Sequence, residues 1–166
     1  MSNTISIIIP VYNEKESLEE LYGEIRAATG SFSKREVLFI DDGSTDGTTE
    51  LLQTMAEEYP DVTLIQFYRN YGKAAALAEG FNHATGDYIV TMDADLQDDP
   101  SEIINLVEKL DEGYDLISGW KRVRLDPWTK RWPSKFFNLV TRLMTGVKIH
   151  DFNCGLKIYR RAVVKA

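Results

Sequence analysis

In the stretch Asp87-Tyr-Ile-Val-Thr-Met-Asp-Ala-Asp-Leu-Gln-Asp-Asp-Pro100, an apolar run ends abruptly in Asp93, Asp95, Asp98 and Asp99. Tyr88 to Met92 is rich in β-formers and short enough for a buried strand, so the strand delivers acid to its own carboxyl end. Side-chain direction repeats every two residues along a strand, which puts Asp93 and Asp95 on one side if extended geometry lasts through Ala94. Two such charges ~6 Å apart repel by ~3 kcal/mol at an effective dielectric of ~20. A divalent cation relieves that repulsion. Mg²⁺ commonly takes one or two carboxylates together with substrate phosphates, so the Asp-x-Asp reads as a handle for a metal-diphosphate. A solvated acidic turn that caps the next helix suffices for Asp98 and Asp99. For the 93/95 pair, behind a buried strand, the functional reading is preferred.

A second group of residues carries the opposite charge. The chain has a net charge of −7, which disfavours general nucleic-acid binding. Yet residues 120–135 hold Lys121, Arg122, Arg124, Lys130, Arg131 and Lys135 against Asp126 alone, leaving that segment at +5 and the remainder at −12. The same segment contains Trp120, Trp128 and Trp132, with Phe136 and Phe137 just beyond. Tryptophan beside Lys and Arg is enriched at membrane-water interfaces, so contact with a lipid or a membrane surface is preferred over a secondary core. Lys73 is open between a phosphate contact and a helix cap. A lone Cys154 excludes an internal disulfide and agrees with a reducing compartment, and His83 and His150 are too isolated to form a zinc set. Packing explains His150 and Cys154, and Asp41 serves its turn.

The elements that must position these groups alternate. Strands are expected at Thr4 to Ile9, stopped by Pro10, and then at 36–40, 62–67, 88–92 and 114–118, with a further strand at 155–159. Helices are expected between the first five strands. Asn13 with Glu16 reads as a capping box, Asp46 as an N-cap, and Asp99-Pro-Ser-Glu102 as an N-terminal cap with proline at the first helical position. The Ala-rich helix 74–84 has small residues suited to close packing on a sheet, and Gly86 is expected to end it. A helix is also expected over 133–145, and another begins at Arg161. Such alternation builds a mainly parallel sheet covered on both faces, an α/β class, in one domain over residues 1–166. Ligands then sit outside the carboxyl ends of the strands, where Pro10 to Glu14, Asp41 to Asp46 and Asp93 to Gln97 all fall. No Gly-x-Gly-x-x-Gly and no P-loop sequence occurs, so the phosphates must be held otherwise. No run approaches the ~18 apolar residues of a membrane span, and the N-terminus does not read as a signal peptide, so the chain is expected to be soluble.

Five blocks of residues carry a family resemblance. They are Ile-Pro-Val-Tyr-Asn-Glu (9–14), Asp-Asp-Gly-Ser-Thr-Asp-Gly-Thr (41–48), Asn-Tyr-Gly-Lys (70–73), Gly-Asp-Tyr-Ile-Val-Thr-Met-Asp-Ala-Asp-Leu-Gln (86–97) and Asp-Phe-Asn-Cys-Gly-Leu-Lys (151–157). In this order and spacing the chain resembles the family 2 glycosyltransferases of GT-A fold, a Rossmann-like α/β/α sandwich, and especially the polyprenyl-phosphate branch that includes dolichol-phosphate mannosyltransferases. The resemblance implies that Pro10, Tyr12, Glu14 and Asp42 surround the base and ribose of a UDP- or GDP-linked sugar. It implies that Asp93, Asp95 and Gln97 hold Mg²⁺ or Mn²⁺ and the diphosphate, and that the transfer is inverting. Members of the family continue well beyond this end point, many into transmembrane helices, so the sequence reads as a piece of a longer protein at the cytoplasmic face of a membrane. Many members have Gly-Ser-Arg where this chain has Gly119-Trp-Lys-Arg122, which leaves the arginine's counterpart open between Lys121 and Arg122.

The acceptor decides what else the chemistry needs. A sugar hydroxyl needs a general base, for which Asp151 is the candidate. A polyprenyl phosphate, with a second pKa near ~6, is already largely ionised at neutral pH and needs cations instead. Lys121, Arg122, Arg131 and Lys135 then become the acceptor-phosphate residues, Arg131 foremost because guanidinium grips phosphate in a bidentate fork. Transfer to polyprenyl phosphate is the preferred expectation. Transfer to a sugar hydroxyl in polysaccharide assembly and nucleotide-sugar binding without turnover are the alternatives. An aspartyl phosphatase is disfavoured, since Leu96 stands where Thr or Val is expected.

Overall fold

The computed structural model describes residues 3–119 and 154–165. The expected helix over 133–145, the basic and Trp-rich segment 120–135 with Lys121 and Arg131, and Asp151 lie outside the described residues. Among the described residues six strands are present: β1 (Thr4–Val11), β2 (Lys34–Asp41), β3 (Val62–Gln66), β4 (Tyr88–Thr91), β5 (Leu116–Ser118) and β6 (Lys157–Arg160). The helices are α1 (Leu18–Ala28), α2 (Thr48–Glu58), α3 (Lys73–His83), α4 (Glu102–Asp111) and the short α5 (Arg161–Val164).

The strand order is β3-β2-β1-β4-β6-β5. β1 pairs in parallel with both β2 and β4, and β2 with β3, whereas β6 is antiparallel to β4 and β5. The sheet is therefore mainly parallel, as the β-α alternation predicts. That β6 separates β4 from β5 was not visible in the sequence, because side-chain periodicity records which faces are buried and says nothing of which strands are neighbours.

β1 lies among the central strands, and Ile5, Ile7, Ile8, Ile9 and Val11 are all at most 1% exposed. Alternate residues feed the two faces. Ile5, Ile7, Ile9 and Val11 meet Leu18, Leu21 and Ile25 of α1, Leu52 of α2 and Ile103 of α4. Ile8, Leu38, Ile40 and Ile89 meet Ala76 of α3 on the other face. Each large side chain so buried contributes about 1.5–3 kcal/mol, and helices on both faces make three layers. A Cβ on Gly80 would fall 2.2 Å from Cγ2 of Ile8, so α3 lies on the sheet at a distance that only glycine permits there. The small residues of this helix do what their composition predicts.

Several expected boundaries move, each for a physical reason. β1 does not stop at Pro10 but runs through to Val11. The carbonyl of Ile8 accepts from Met92 N on the β4 side, and that of Val11 from Asp42 N on the β2 side. By alternation Pro10 turns its missing N–H toward the side where β4 pairing has already ended, so no ladder bond is lost. Asn13 does not cap α1, which begins only at Leu18. It adopts φ 56°, a left-handed conformation that Asn tolerates, and reaches the next loop instead: its N–H donates to Ser44 Oγ (3.0 Å) and its Oδ1 accepts from Thr45 N (2.8 Å). Asp46 and Asp99 lie one and two residues before their N-cap positions, Gly47 and Ser101, yet still take up free N–H groups, from Thr48 (3.0 Å) and Ser101 (2.9 Å). α3 ends at His83 and does not reach Gly86.

β2 and β3 extend the sheet to one side of β1, and β4 lies on the other. The order reverses between β1 and β4. A crevice opens beyond their carboxyl ends, and in open α/β sheets this is where ligands bind.

Candidate active site

A cleft of about 410 Å³ occupies that crevice. Pro10, Val11, Tyr12 and Glu14 enter it from the end of β1, and Asp42 from the end of β2. Asn70, Gly72 and Lys73 line it from the start of α3, and Asp93, Ala94 and Asp95 from the turn after β4.

Backbone hydrogen bonds lock these loops together. Asp42, 4% exposed, accepts from Tyr71 N (2.7 Å) and Gly72 N (2.9 Å), so it sets the approach to α3. Gly43, with φ 78°, lies so close to the Arg69–Asn70 backbone that a Cβ would fall 2.6 Å from the Arg69 carbonyl carbon. Asp41 is fully buried and serves the turn, accepting from Ser44 N (3.0 Å) and from the Thr49 hydroxyl.

The two aspartates of the Asp-x-Asp meet in the cleft, though not by strand alternation. β4 ends at Thr91 and the chain bends at Ala94. A turn does the work: Asp93 N donates to the buried Asp98 carboxylate (3.3 Å), and Gln97 N donates to Asp95 Oδ1 (3.1 Å). Asp98 thus holds the backbone of Asp93 and is no solvated surface charge. Leu96 sits at φ 57°, a conformation that costs a non-glycine residue of order 1–3 kcal/mol and persists where surrounding contacts enforce it. Behind Asp93, the Thr91 hydroxyl donates to the Gly155 carbonyl (2.9 Å), and a Cβ on Gly155 would fall 2.5 Å from the Asp93 carboxylate. Only glycine lets β6 approach the acid so closely.

Charge in the cleft is unbalanced. Glu14, Asp42, Asp93 and Asp95 face Lys73 alone among the described lining residues. The Lys73 ammonium ion-pairs with Asp93. Burial pushes the Glu14 carboxyl up from its ordinary value, and the charges of Asp95, Asp46 and Asp93 push it further. No set of three or more His, Cys, Asp or Glu residues poised to hold a metal occurs among the described residues. The donor set therefore does not make a closed metal cage. Two carboxylates in one cleft have the chemistry to hold a hard divalent cation, which would leave positions for phosphate oxygens.

Of the residues singled out in the sequence, Pro10, Tyr12, Glu14, Asp42, Lys73, Asp93 and Asp95 are brought to one cleft. Gln97 is exposed and does not line it, because the turn at Leu96 carries the chain away. Asp151, Arg131 and Lys121 fall outside the described residues. Asn70, Gly72 and Ala94 were missed as individual lining residues, although the Asn-Tyr-Gly-Lys and Asp-Ala-Asp blocks contain them. A second, smaller chamber of about 250 Å³ adjoins the cleft behind Asp93, with Lys157 and Tyr159 in its wall. Their alternate spacing on β6 was the available signal.

The fold and the family profile define a glycosyltransferase domain of the GT-A type. The chain belongs to glycosyl transferase family 2, whose profile matches residues 6–166. It is 47% identical over 165 residues to an undecaprenyl-phosphate 4-deoxy-4-formamido-L-arabinose transferase of Shewanella sediminis, covering 98% of this chain and 50% of that protein. A protein of the same name from Pseudomonas paraeruginosa is 44% identical over 164 residues, with 98% and 48% covered. The chain thus spans about half the length of the curated relatives it matches. Among solved structures, mannosyltransferase PcManGT from Pyrobaculum calidifontis, in complex with GDP-Man and Mn²⁺, superposes with a TM-score of 0.72 at 29% identity, covering 99% of this chain and 46% of that one. Glucosyl-3-phosphoglycerate synthase from Mycobacterium tuberculosis gives 0.75 at 19% identity, with 97% and 58% covered, and speaks for the fold alone.

Proposed function

We propose that this chain is the nucleotide-sugar-binding part of an inverting glycosyltransferase that moves a sugar from a nucleoside diphosphate to a polyprenyl phosphate at the cytoplasmic face of a membrane. The observation that carries the reading is the convergence of Asp93 and Asp95 with Glu14, Asp42 and Lys73 at the point where the strand order reverses. The relatives named for undecaprenyl-phosphate transfer support the acceptor, and PcManGT with GDP-Man and Mn²⁺ supports a metal-bound nucleotide sugar.

Asp93 and Asp95 would hold the divalent cation, Mg²⁺ or Mn²⁺, with the diphosphate. When bound, that cation supplies Lewis-acid stabilisation of the charge growing on the leaving diphosphate. Pro10 and Tyr12 offer the nucleoside an apolar wall, and Asp42 fixes the backbone around it. Lys73, ion-paired with Asp93 in the cleft wall, would also offer its ammonium to the diphosphate. An oxygen of the acceptor phosphate attacks the anomeric carbon, a carbon–oxygen bond forms on the opposite face, and the bond to the diphosphate breaks with its electron pair leaving on the nucleotide. No general base is required, since the acceptor is already ionised at neutral pH. Lys121 and Arg131 are assigned to the acceptor phosphate, and Asp151 is the base that a hydroxyl acceptor would need.

The test uses the full-length protein with Mn²⁺, labelled UDP- and GDP-sugars, and either a short-chain prenyl phosphate or the matching prenyl alcohol. Label is expected in the lipid extract with the phosphate, released as sugar by mild acid. Equal labelling of the alcohol, or of neither lipid by any donor, would contradict the reading. Within the same assay, Asp151→Asn should cost far less than the ~10²- to 10⁴-fold loss typical of a removed general base.

A further inference from the structure

Among the described residues, the chamber behind Asp93 and the main cleft differ in the charges that line them. Asp93 and Lys73 line both, so the ion pair between them forms part of the partition. Beyond that pair, the cleft adds Glu14, Asp42 and Asp95, whereas the chamber adds Lys157 and the hydroxyl-bearing residues Thr91 and Tyr159. Among the described lining residues, carboxylates outnumber Lys73 in the cleft, whereas Lys73 and Lys157 face Asp93 in the chamber.

The fold explains why these groups meet. Thr91 on β4 is the register partner of Lys157 on β6. Lys157 and Tyr159 occupy alternate positions on β6 and share the sheet face covered by α3, where Leu77 completes the wall. Tyr159 is fixed there by its ring, which meets Phe81 of α3 edge-on at 5.3 Å between centroids. With about 250 Å³ the chamber lies below the ~300–1,000 Å³ of pockets that enclose whole drug-sized ligands, so it suits a head group and not a nucleotide.

We infer that this chamber receives the phosphate monoester head of the acceptor, with Lys157 as its ligand from β6. The inference rests on the proposed transfer to a phosphate acceptor, and it adds a site on β6 to the cations of residues 120–135. An ionised head group held there would lie on the other side of the shared Asp93–Lys73 wall from the cleft. Lys73, at the start of α3, lines both cavities and would face both anions.

The experiment measures binding, and so does not depend on turnover. The full-length protein, saturated with Mn²⁺ and nucleoside diphosphate, is titrated calorimetrically with a short-chain prenyl monophosphate, the matching prenyl alcohol and inorganic phosphate. A charge-assisted hydrogen bond to phosphate corresponds to at least about a ten-fold change in affinity. Lys157→Met is expected to weaken prenyl monophosphate by that factor, to leave the nucleoside diphosphate within about two-fold, and to be rescued by Lys157→Arg. Leu77→Phe, which narrows the chamber from α3, should weaken the same ligand independently of any change at Lys157. Inorganic phosphate binding that is equally sensitive to Lys157 identifies a site for the phosphate group itself, and insensitive inorganic phosphate with sensitive prenyl monophosphate identifies one that needs the lipid; either supports the chamber. Unchanged prenyl monophosphate affinity in both variants, or equal loss of nucleoside diphosphate, would overturn it. Lys157-dependent binding without any sugar transfer would leave the chamber standing and remove the proposed function. Transfer indifferent to Lys157 would do the reverse.

Discussion

At the scale of single residues, the ion pair between Lys73 and Asp93 decides how the site meets its metal. Lys73 is half exposed, so its attraction is screened and worth about 1 kcal/mol or less. It nevertheless competes with any cation for the same carboxylate. Lys73→Met should therefore tighten Mn²⁺ binding about two- to five-fold without nucleotide, read from the free-ion signal in electron paramagnetic resonance, while nucleoside diphosphate binding in metal weakens. Weaker Mn²⁺ binding to the bare variant would show that Lys73 supports the metal site. That Asp93 and Asp95 reach one site was legible in the sequence, because two carboxylates behind a buried strand need a reason. Their means of meeting was not. The turn depends on Asp98 and on a left-handed Leu96, and neither a buried acid nor a positive φ leaves a periodic trace.

At the scale of elements, two contacts set how firmly the layers hold the cleft open. Gly80→Ala gains about 1 kcal/mol of helix propensity but drives a methyl into Ile8, a stiff β-branched side chain in a fully buried strand. Overpacking of this kind costs about 1–3 kcal/mol, so a net loss of stability is expected in urea unfolding, with α3 and Lys73 displaced. A stability gain would show that α3 can shift freely. The other contact is a clamp at the opposite end of the sheet: Asp61 accepts from Tyr22 Oη of α1 (2.8 Å) and Arg35 Nε of β2 (2.6 Å). Burial opposes the Asp61 charge, yet these two donors outweigh it and hold its pKa below the ordinary 3.8. Because the folded value is depressed, this stabilisation is present above the unfolded pKa and is lost as pH falls through the folded one. Burial, followed by the Asp61 hydrogen bond, lifts Tyr22 to about 12, so its share is complete below the ordinary 10 and is lost as pH rises from there through about 12. Asp61→Asn should cost about 2 kcal/mol at pH 7, a charged hydrogen bond's worth, and much less at about pH 2. An equal cost at both would mean that the charge contributes nothing. Helix and strand identities were legible from their 3.6- and two-residue periods, but the start of α1 was misread because Asn13 bonds the adjoining loop.

At the scale of the whole molecule, the central relation is between strand order and charge. Reversal of order at β1 and β4 opens the crevice, and the loops after β1, β2 and β4 bring four carboxylates to Lys73 at the start of α3. The class of sheet could be read from β-α alternation, and the family from five motif blocks. The position of β6 could not, and with it went the chamber that Lys157 lines. Among the described residues no helix is long and apolar enough to cross a membrane. The charge relation is tested most directly by calorimetric titration of UDP and GDP into the wild type and Asp95→Ala, each with Mn²⁺ and with EDTA. At least one nucleotide is expected to bind the wild type about ten-fold or more tightly in Mn²⁺ than in EDTA, and Asp95→Ala to remove most of that difference. Equal affinities in metal and in EDTA would contradict it.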